Sequence, residues 1–137
     1  MKKILRQLIL MVLVSLPAIS SDYVVIANKE MKDFSKGQIK AIFLKKLTLV
    51  NDMNIVPINM GATNPVRLEF EKHVVKMSFS RLKSYWTKQH YLGHRPPITM
   101  KSQESVKAFV KKVDGAIGYI EANNVDDSLK ILYKWSD

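Results

Sequence analysis

The stretch Asn54-Ile55-Val56-Pro57-Ile58-Asn59-Met60-Gly61-Ala62-Thr63-Asn64-Pro65-Val66-Arg67-Leu68-Glu69-Phe70 decides how the rest of the chain must fold. Ile55, Val56 and Ile58 make a short apolar run, the pattern of a buried strand. Gly61-Ala62-Thr63 is a small-residue turn, and a helix start follows it. Asn64 can accept a hydrogen bond from a first-turn backbone N–H, and Pro65 has no N–H to leave unpaired there. Val66, Phe70, Val74 and Met77 recur at helical spacing, so this helix is expected to dock on the sheet that contains the strand. Strand, small turn and helix N-terminus together favour an anion, because free N–H groups and the helix dipole point the same way. Most such junctions in α/β domains hold no ligand, so local chemistry alone favours a plain structural turn.

Outward from this stretch, the N-terminus has a different character. Met1-Lys2-Lys3 and Arg6 precede an apolar run from Leu8 to Leu16 that only Ser15 interrupts, and Pro17-Ala18-Ile19-Ser20 closes it with small residues. Basic, apolar and cleavage regions in that order are a secretory signal, and the apolar core is too short to span a membrane comfortably. Residues 1–21 are read as a signal peptide and residues 22–137 as the mature, periplasmic domain. The chain carries 22 Lys+Arg and 12 Asp+Glu, and loss of the three basic residues of the leader leaves a net charge of +7. That balance favours anionic ligands or surfaces, without bearing on the fold. With no cysteine, the domain relies on packing, and its size suits one core rather than two lobes.

Tyr23-Val24-Val25-Ile26-Ala27-Asn28 is rich in β-branched residues and reads as a strand buried on both faces. Ser35 and Gln38 fit a capping box ahead of a helix with Ile39, Ile42, Phe43 and Leu47 on one face. Thr48 to Asn54 reads as a loop. Ser78 caps a helix that carries Phe79, Leu82, Tyr85, Trp86 and Gln89 and ends at Gly93, with Trp86 as its expected core anchor. Ile98 to Met100 is a short extended segment after Pro96-Pro97, and Ser102 caps a helix with Val106, Phe109, Val110 and Val113 inward. Ala116 to Ile120 reads as a strand in which Gly118 permits close approach, and Leu129, Ile131 and Tyr133 alternate as a final strand. This order gives an α/β domain with a mixed sheet flanked by helices.

Nothing in the sequence pairs a nucleophile with a base or sets out metal ligands in register, so no enzyme, metal or cofactor is expected. His90 and His94 have the spacing of a helical metal pair, but Gly93 between them ends the helix. His73 flanks an apolar helix face, the ordinary setting of a packed histidine.

Five segments in order resemble phosphate-specific ABC-transporter substrate-binding proteins. They are Phe34-Ser35-Lys36-Gly37-Gln38-Ile39-Lys40-Ala41-Ile42-Phe43-Leu44-Lys45-Lys46, Ile55-Val56-Pro57-Ile58-Asn59, Asn64-Pro65-Val66-Arg67-Leu68-Glu69-Phe70, Ser80-Arg81-Leu82-Lys83-Ser84-Tyr85-Trp86 and Gly115-Ala116-Ile117-Gly118-Tyr119. The resemblance implies a single lobe of the type 2 periplasmic binding protein fold, without the opposing lobe that closes over a ligand. Two-lobed members of that family carry an arginine and then a Gly-Ser-Gly-Thr run; here the corresponding positions are Met60 and Thr63-Asn64-Pro65-Val66. Asn59, Thr63, Asn64 and the N–H groups of Val66 and Arg67 remain as ligands for phosphate or a similar oxyanion, with the Arg67 side chain in support. The function implied is weak oxyanion binding linked to a membrane transporter. The rival reading is a non-catalytic interaction module with a degenerate ligand loop that binds a periplasmic or membrane partner. A further alternative, salt-sensitive attraction of anionic polymers to the lysines, involves no specific nucleic-acid site.

The leader reading has a direct test. Mass spectrometry of the protein recovered from a periplasmic extract is expected to show a chain beginning at Ser21 or Asp22; a full-length, membrane-retained species overturns it.

Overall fold

The computed structural model describes residues 21–137, so the leader sequence, apart from Ser21, lies outside the described residues. In chain order the elements are β1 (Asp22–Asn28), α1 (Lys36–Phe43), β2 (Leu49–Val50), β3 (Met53–Asn54), β4 (Val56–Met60), α2 (Pro65–Phe70), α3 (Phe79–Tyr91), β5 (Ile98–Met100), α4 (Gln103–Lys112), β6 (Ala116–Glu121) and β7 (Leu129–Ser136). Five strands form one sheet in the order β5-β4-β6-β1-β7. β1 runs antiparallel to both β6 and β7, whereas β4 runs parallel to both β5 and β6, so the sheet is mixed.

Helices cover both faces. The chain leaves β4 through α2 and α3 to reach β5, then returns through α4 to β6 on the other side of β4. The two crossovers travel in opposite directions and lie on opposite faces, which gives both the same hand. α4 packs its Val106 and Val110, both 0% exposed, onto β6 and β1. Gly118 makes this possible, since a Cβ there would stand 2.5 Å from Val106 Cγ1. On the opposite face, Tyr119 stacks on Phe70 of α2 with centroids 4.0 Å apart, and Phe43 of α1 meets Phe70 edge-on at 4.6 Å. Trp135 of β7 extends this aromatic layer, 5.8 Å from Phe70 and stacked on Tyr23 at 5.2 Å.

Local signals act much as their chemistry dictates. Ser35 and Gln38 form the reciprocal capping box of α1, Asn64 caps α2 with Pro65 at its first position, and Ser78 and Ser102 cap α3 and α4. α3 ends where Gly93, at φ 83°, donates to the His90 carbonyl while the His94 N–H reaches back to the Gln89 carbonyl. That paired closure is a Schellman motif.

Four expectations change. Trp86 is half-buried rather than a core anchor: α3 has no fully buried residue, and Leu82, Tyr85 and Trp86 pack against the edge of the core. After Phe70 the helix continues as a π-helical turn, Glu71–Val75, closed by the Lys76 N–H on the Glu71 carbonyl at 2.7 Å. The wider turn brings Val75 as well as Val74 inward, and Lys76, left-handed at φ 54°, ends it before Met77. The segment Thr48–Asn54 is not a plain loop but contains the β2–β3 hairpin, whose two turn residues Asn51 and Asp52 both have positive φ. In β7 the pairing with β1 shifts between Val25 and Ile26, so Tyr133 and Trp135 lie on the face opposite Ile131; Trp135 is buried there, and Ile131 is exposed.

These placements predict an order of stabilities in urea unfolding. Trp135→Ala is expected to cost about 3–5 kcal/mol as a large-to-small core change, and Gly118→Ala about 1–3 kcal/mol through overpacking against Val106. Trp86→Ala should cost less than Trp135→Ala; the reverse order would refute the assignment of core and rim.

Candidate functional site

β4 is flanked on both sides by parallel neighbours, and the connections that follow β4 and β5 depart to opposite faces of the sheet. The crevice beyond the carboxyl ends of such strands is where open α/β sheets bind ligands. The exposed turn Gly61-Ala62-Thr63 and the start of α2 stand there.

Tyr119 organises this end of β4 from below. Its phenol oxygen accepts the Met60 N–H at 3.1 Å. Since an amide N–H can only donate, the phenol O–H is left to donate to Asn59, and it meets Oδ1 at 2.7 Å. The oxygen of the Asn59 amide is thereby fixed inward, and its NH2 group has no protein acceptor among the described residues. Tyr119 is itself 0% exposed, and burial pushes its phenol well above the ordinary tyrosine pKa, so the proton that orients Asn59 stays in place.

The remaining expected residues converge on the same turn with unequal freedom. Asn64 Oδ1 accepts the Val66 N–H at 2.9 Å, so that donor and that acceptor satisfy each other. The Arg67 side chain does turn back toward the loop: Nη1 donates to the Met60 carbonyl at 2.9 Å, and Nε meets Glu71 Oε1 at 2.6 Å. The Thr63 hydroxyl is exposed, and the N–H groups of Thr63 and Arg67 have no protein acceptor among the described residues. Met60, at the position that the resemblance gives to an arginine, is 1% exposed and faces the core. The partners Tyr119 and Glu71 were missed by sequence reasoning. Tyr119 sits one residue after Gly118, but nothing in linear sequence aims it at Asn59.

The histidines stand apart from this arrangement. His73 Nε2 lies 3.2 Å from Glu69 Oε2, and His94 Nδ1 lies 2.7 Å from Gln89 Oε1, held there by the turn at Gly93. Among the described residues, no group of three or more His, Cys, Asp or Glu residues is arranged to hold a metal ion, and no helix is long and apolar enough to cross a membrane.

No known family model and no curated protein matches the sequence. Solved structures do match the fold. An ABC-type phosphate transport receptor from Vibrio cholerae is similar over 82% of this chain and 46% of its own, with a TM-score of 0.65 and 17% identity. A putative phosphate ABC transporter substrate-binding protein from Clostridium perfringens, solved with bound phosphate, is similar over 82% and 44% at TM-score 0.67 and 24% identity. PstS from Borrelia burgdorferi is similar over 82% and 47% at TM-score 0.62 and 15% identity. The architecture is therefore one lobe of the periplasmic binding protein fold. More narrowly, it is the fold of the phosphate-transporter substrate-binding proteins, of whose solved chains it spans 44–47%.

Tyr119→Phe tests the organising role of the phenol. Loss of the hydroxyl strands the buried Met60 N–H and is expected to cost about 1–3 kcal/mol. The folded phenol has its pKa raised above the value of 10.0 that applies to an ordinary tyrosine. The stability it confers is thus present below that pH and is lost as pH rises beyond it. Wild type should lose stability above pH 10 more steeply than Tyr119→Phe, and equal slopes in alkaline unfolding would contradict this account.

Proposed function

We propose that this chain is an exported, non-catalytic, single-lobe solute-binding protein that holds phosphate or a similar oxyanion weakly in front of the β4–α2 turn and passes it to a membrane transporter. The observation that carries the reading is the amide of Asn59, its oxygen held by Tyr119 and its NH2 group without a protein acceptor among the described residues, beside the N–H groups of Thr63 and Arg67, which likewise have none there. The Thr63 hydroxyl adds a donor, and the Arg67 guanidinium adds positive charge even while it bonds to Met60 and Glu71. The likeness of the fold to phosphate-transport receptors supports phosphate as the ion. Weak affinity follows from the exposure of Gly61, Ala62 and Thr63, which leaves a bound ion in contact with water and subject to salt screening.

A second reading, an interaction module of the same fold with a degenerate ligand loop, draws on one observation. Asn64, Val66 and Arg67 satisfy one another or their neighbours, as a purely structural turn would have them do.

Titration with inorganic phosphate, followed by NMR, separates the two. Oxyanion binding predicts saturable shifts of the Thr63 and Arg67 amides at millimolar phosphate, weakened by salt. Thr63→Val should weaken them, and Asn59→Asp should abolish them by replacing the donor with a carboxylate while keeping an oxygen for Tyr119. If the parent protein shows no saturable shift at these amides, the interaction-module reading takes its place.

A further inference from the structure

A groove of about 890 Å³ opens between α2, its π-helical extension and α3, and at one end it reaches the β4–α2 turn, where Asn59, Ala62 and Arg67 line it. Its volume falls in the range of small-molecule sites. Phe70 and Val75 line its floor, Leu82 and Trp86 its far wall, and Phe79 its lip. The π-helical turn and left-handed Lys76 separate α2 from α3, whose Leu82, Tyr85 and Trp86 rest against the edge of the core and whose Tyr85 donates to the Leu44 carbonyl. As a result Trp86 is only half-buried, and Phe79 is 79% exposed.

The charge lining this groove is net positive. Lys72, Lys76 and Lys83 line it, and among the described residues none of the three is in an ion pair. The carboxylate that lines it, Glu71, is engaged by Arg67 at 2.6 Å. Residues 72–103, which include the whole of α3, carry seven Lys/Arg and no Asp or Glu. Lys36 stands beside Lys76 and lowers its pKa from the ordinary lysine value, with Lys40 adding to the effect. The lysines of α4 contrast with these: Lys107 and Lys111 both reach Asp126, at 3.4 and 3.0 Å.

An inorganic anion would answer the lysines and leave the apolar walls wet. An uncharged alkane would cover the walls and leave the lysines crowded. We infer that the groove between α2 and α3 is a binding site for a single-chain amphiphile with a phosphate head, its alkyl chain against Phe70, Leu82 and Trp86 and its head among Lys72, Lys76 and Lys83. A phosphate monoester carries about −1.5 to −2 charges at neutral pH, which suits three ammonium groups better than a single carboxylate does. The ligand is a monomer that enters the groove, with its head at Lys72, Lys76 and Lys83 rather than at Asn59 and Arg67, which line the same groove.

Dodecyl phosphate below its micellar concentration is the probe, with the Trp86 and Trp135 indole N–H signals as readout, assigned with Trp86→Phe. Saturable movement of the Trp86 signal is expected at submillimolar probe and is to exceed that of Trp135, whose dispersed signal from its stack on Tyr23 reports an intact fold. Inorganic phosphate should leave Trp86 unmoved whether or not it shifts the Thr63 and Arg67 amides, so the two readouts distinguish failure of this site from failure of the loop. The double variant Lys76→Gln/Lys83→Gln should bind roughly tenfold or more weakly, as loss of charge-assisted contacts implies. Leu82→Glu should abolish binding with the Trp135 signal in place. The inference is overturned if Trp86 does not respond, if neutral dodecyl maltoside binds as tightly, if the double variant binds unchanged, or if only anionic phospholipid vesicles produce the shift.

Discussion

The structure depends on what one buried phenol does. Tyr119 stacks on Phe70, touches Phe43, accepts the N–H of Met60 and donates to Asn59. A hydroxyl in an apolar interior is costly unless both its donor and acceptor roles are filled. Satisfying them here ties the central strand β6 to the end of β4, and with it the turn from which α2 departs. The same ring that packs α1 and α2 on the sheet therefore orients the side chain most able to face an anion. Core and candidate site share one residue, so the loop is only as well defined as the aromatic layer beneath it.

The opposite face has a complementary constraint. Gly118 clears the space into which Val106 descends, and that close approach sets α4 on β6. Gly118 and Tyr119 are adjacent and point to opposite faces, one accepting a helix by absence of a side chain and the other by a large flat one. The crossovers before and after β5 then fall on opposite faces, and the carboxyl end of β4 is left open between them.

Polar satisfaction divides the surface near β4 into a settled part and an unsettled one. At the start of α2, Asn64, Val66, Arg67, Glu71 and Met60 bond among themselves, which holds the turn in shape but uses donors an anion would need. Further along the chain α3 lies along the edge of the core, and its lysines have no carboxylate partners among the described residues. The π-helical turn is the point of divergence: it keeps Phe70, Val74 and Val75 in the core before the chain turns into α3.

Much of the architecture was legible in the sequence because it rests on short-range chemistry. The caps at Ser35, Asn64, Ser78 and Ser102, the stop at Gly93 and the apolar periods of β1, α1, α2 and α4 depend on residues within a few positions of one another. Register across strands, and the direction of a helix after its own turn is complete, depend on partners far along the chain. That is why Trp86 looked like a core residue and Trp135 was not singled out: helical spacing marks an apolar face but does not say how deeply the body covers it. The candidate site divides in the same way. Asn59, Thr63, Asn64, Val66 and Arg67 were visible as a strand–turn–helix junction with matching resemblance. Only the tertiary structure decided which of their groups are free, since Tyr119 fixes Asn59 from 60 residues away and the core claims the side chain of Met60. Local hydrogen bonds can be read along a chain; the ones that compete for the same donor across a fold cannot.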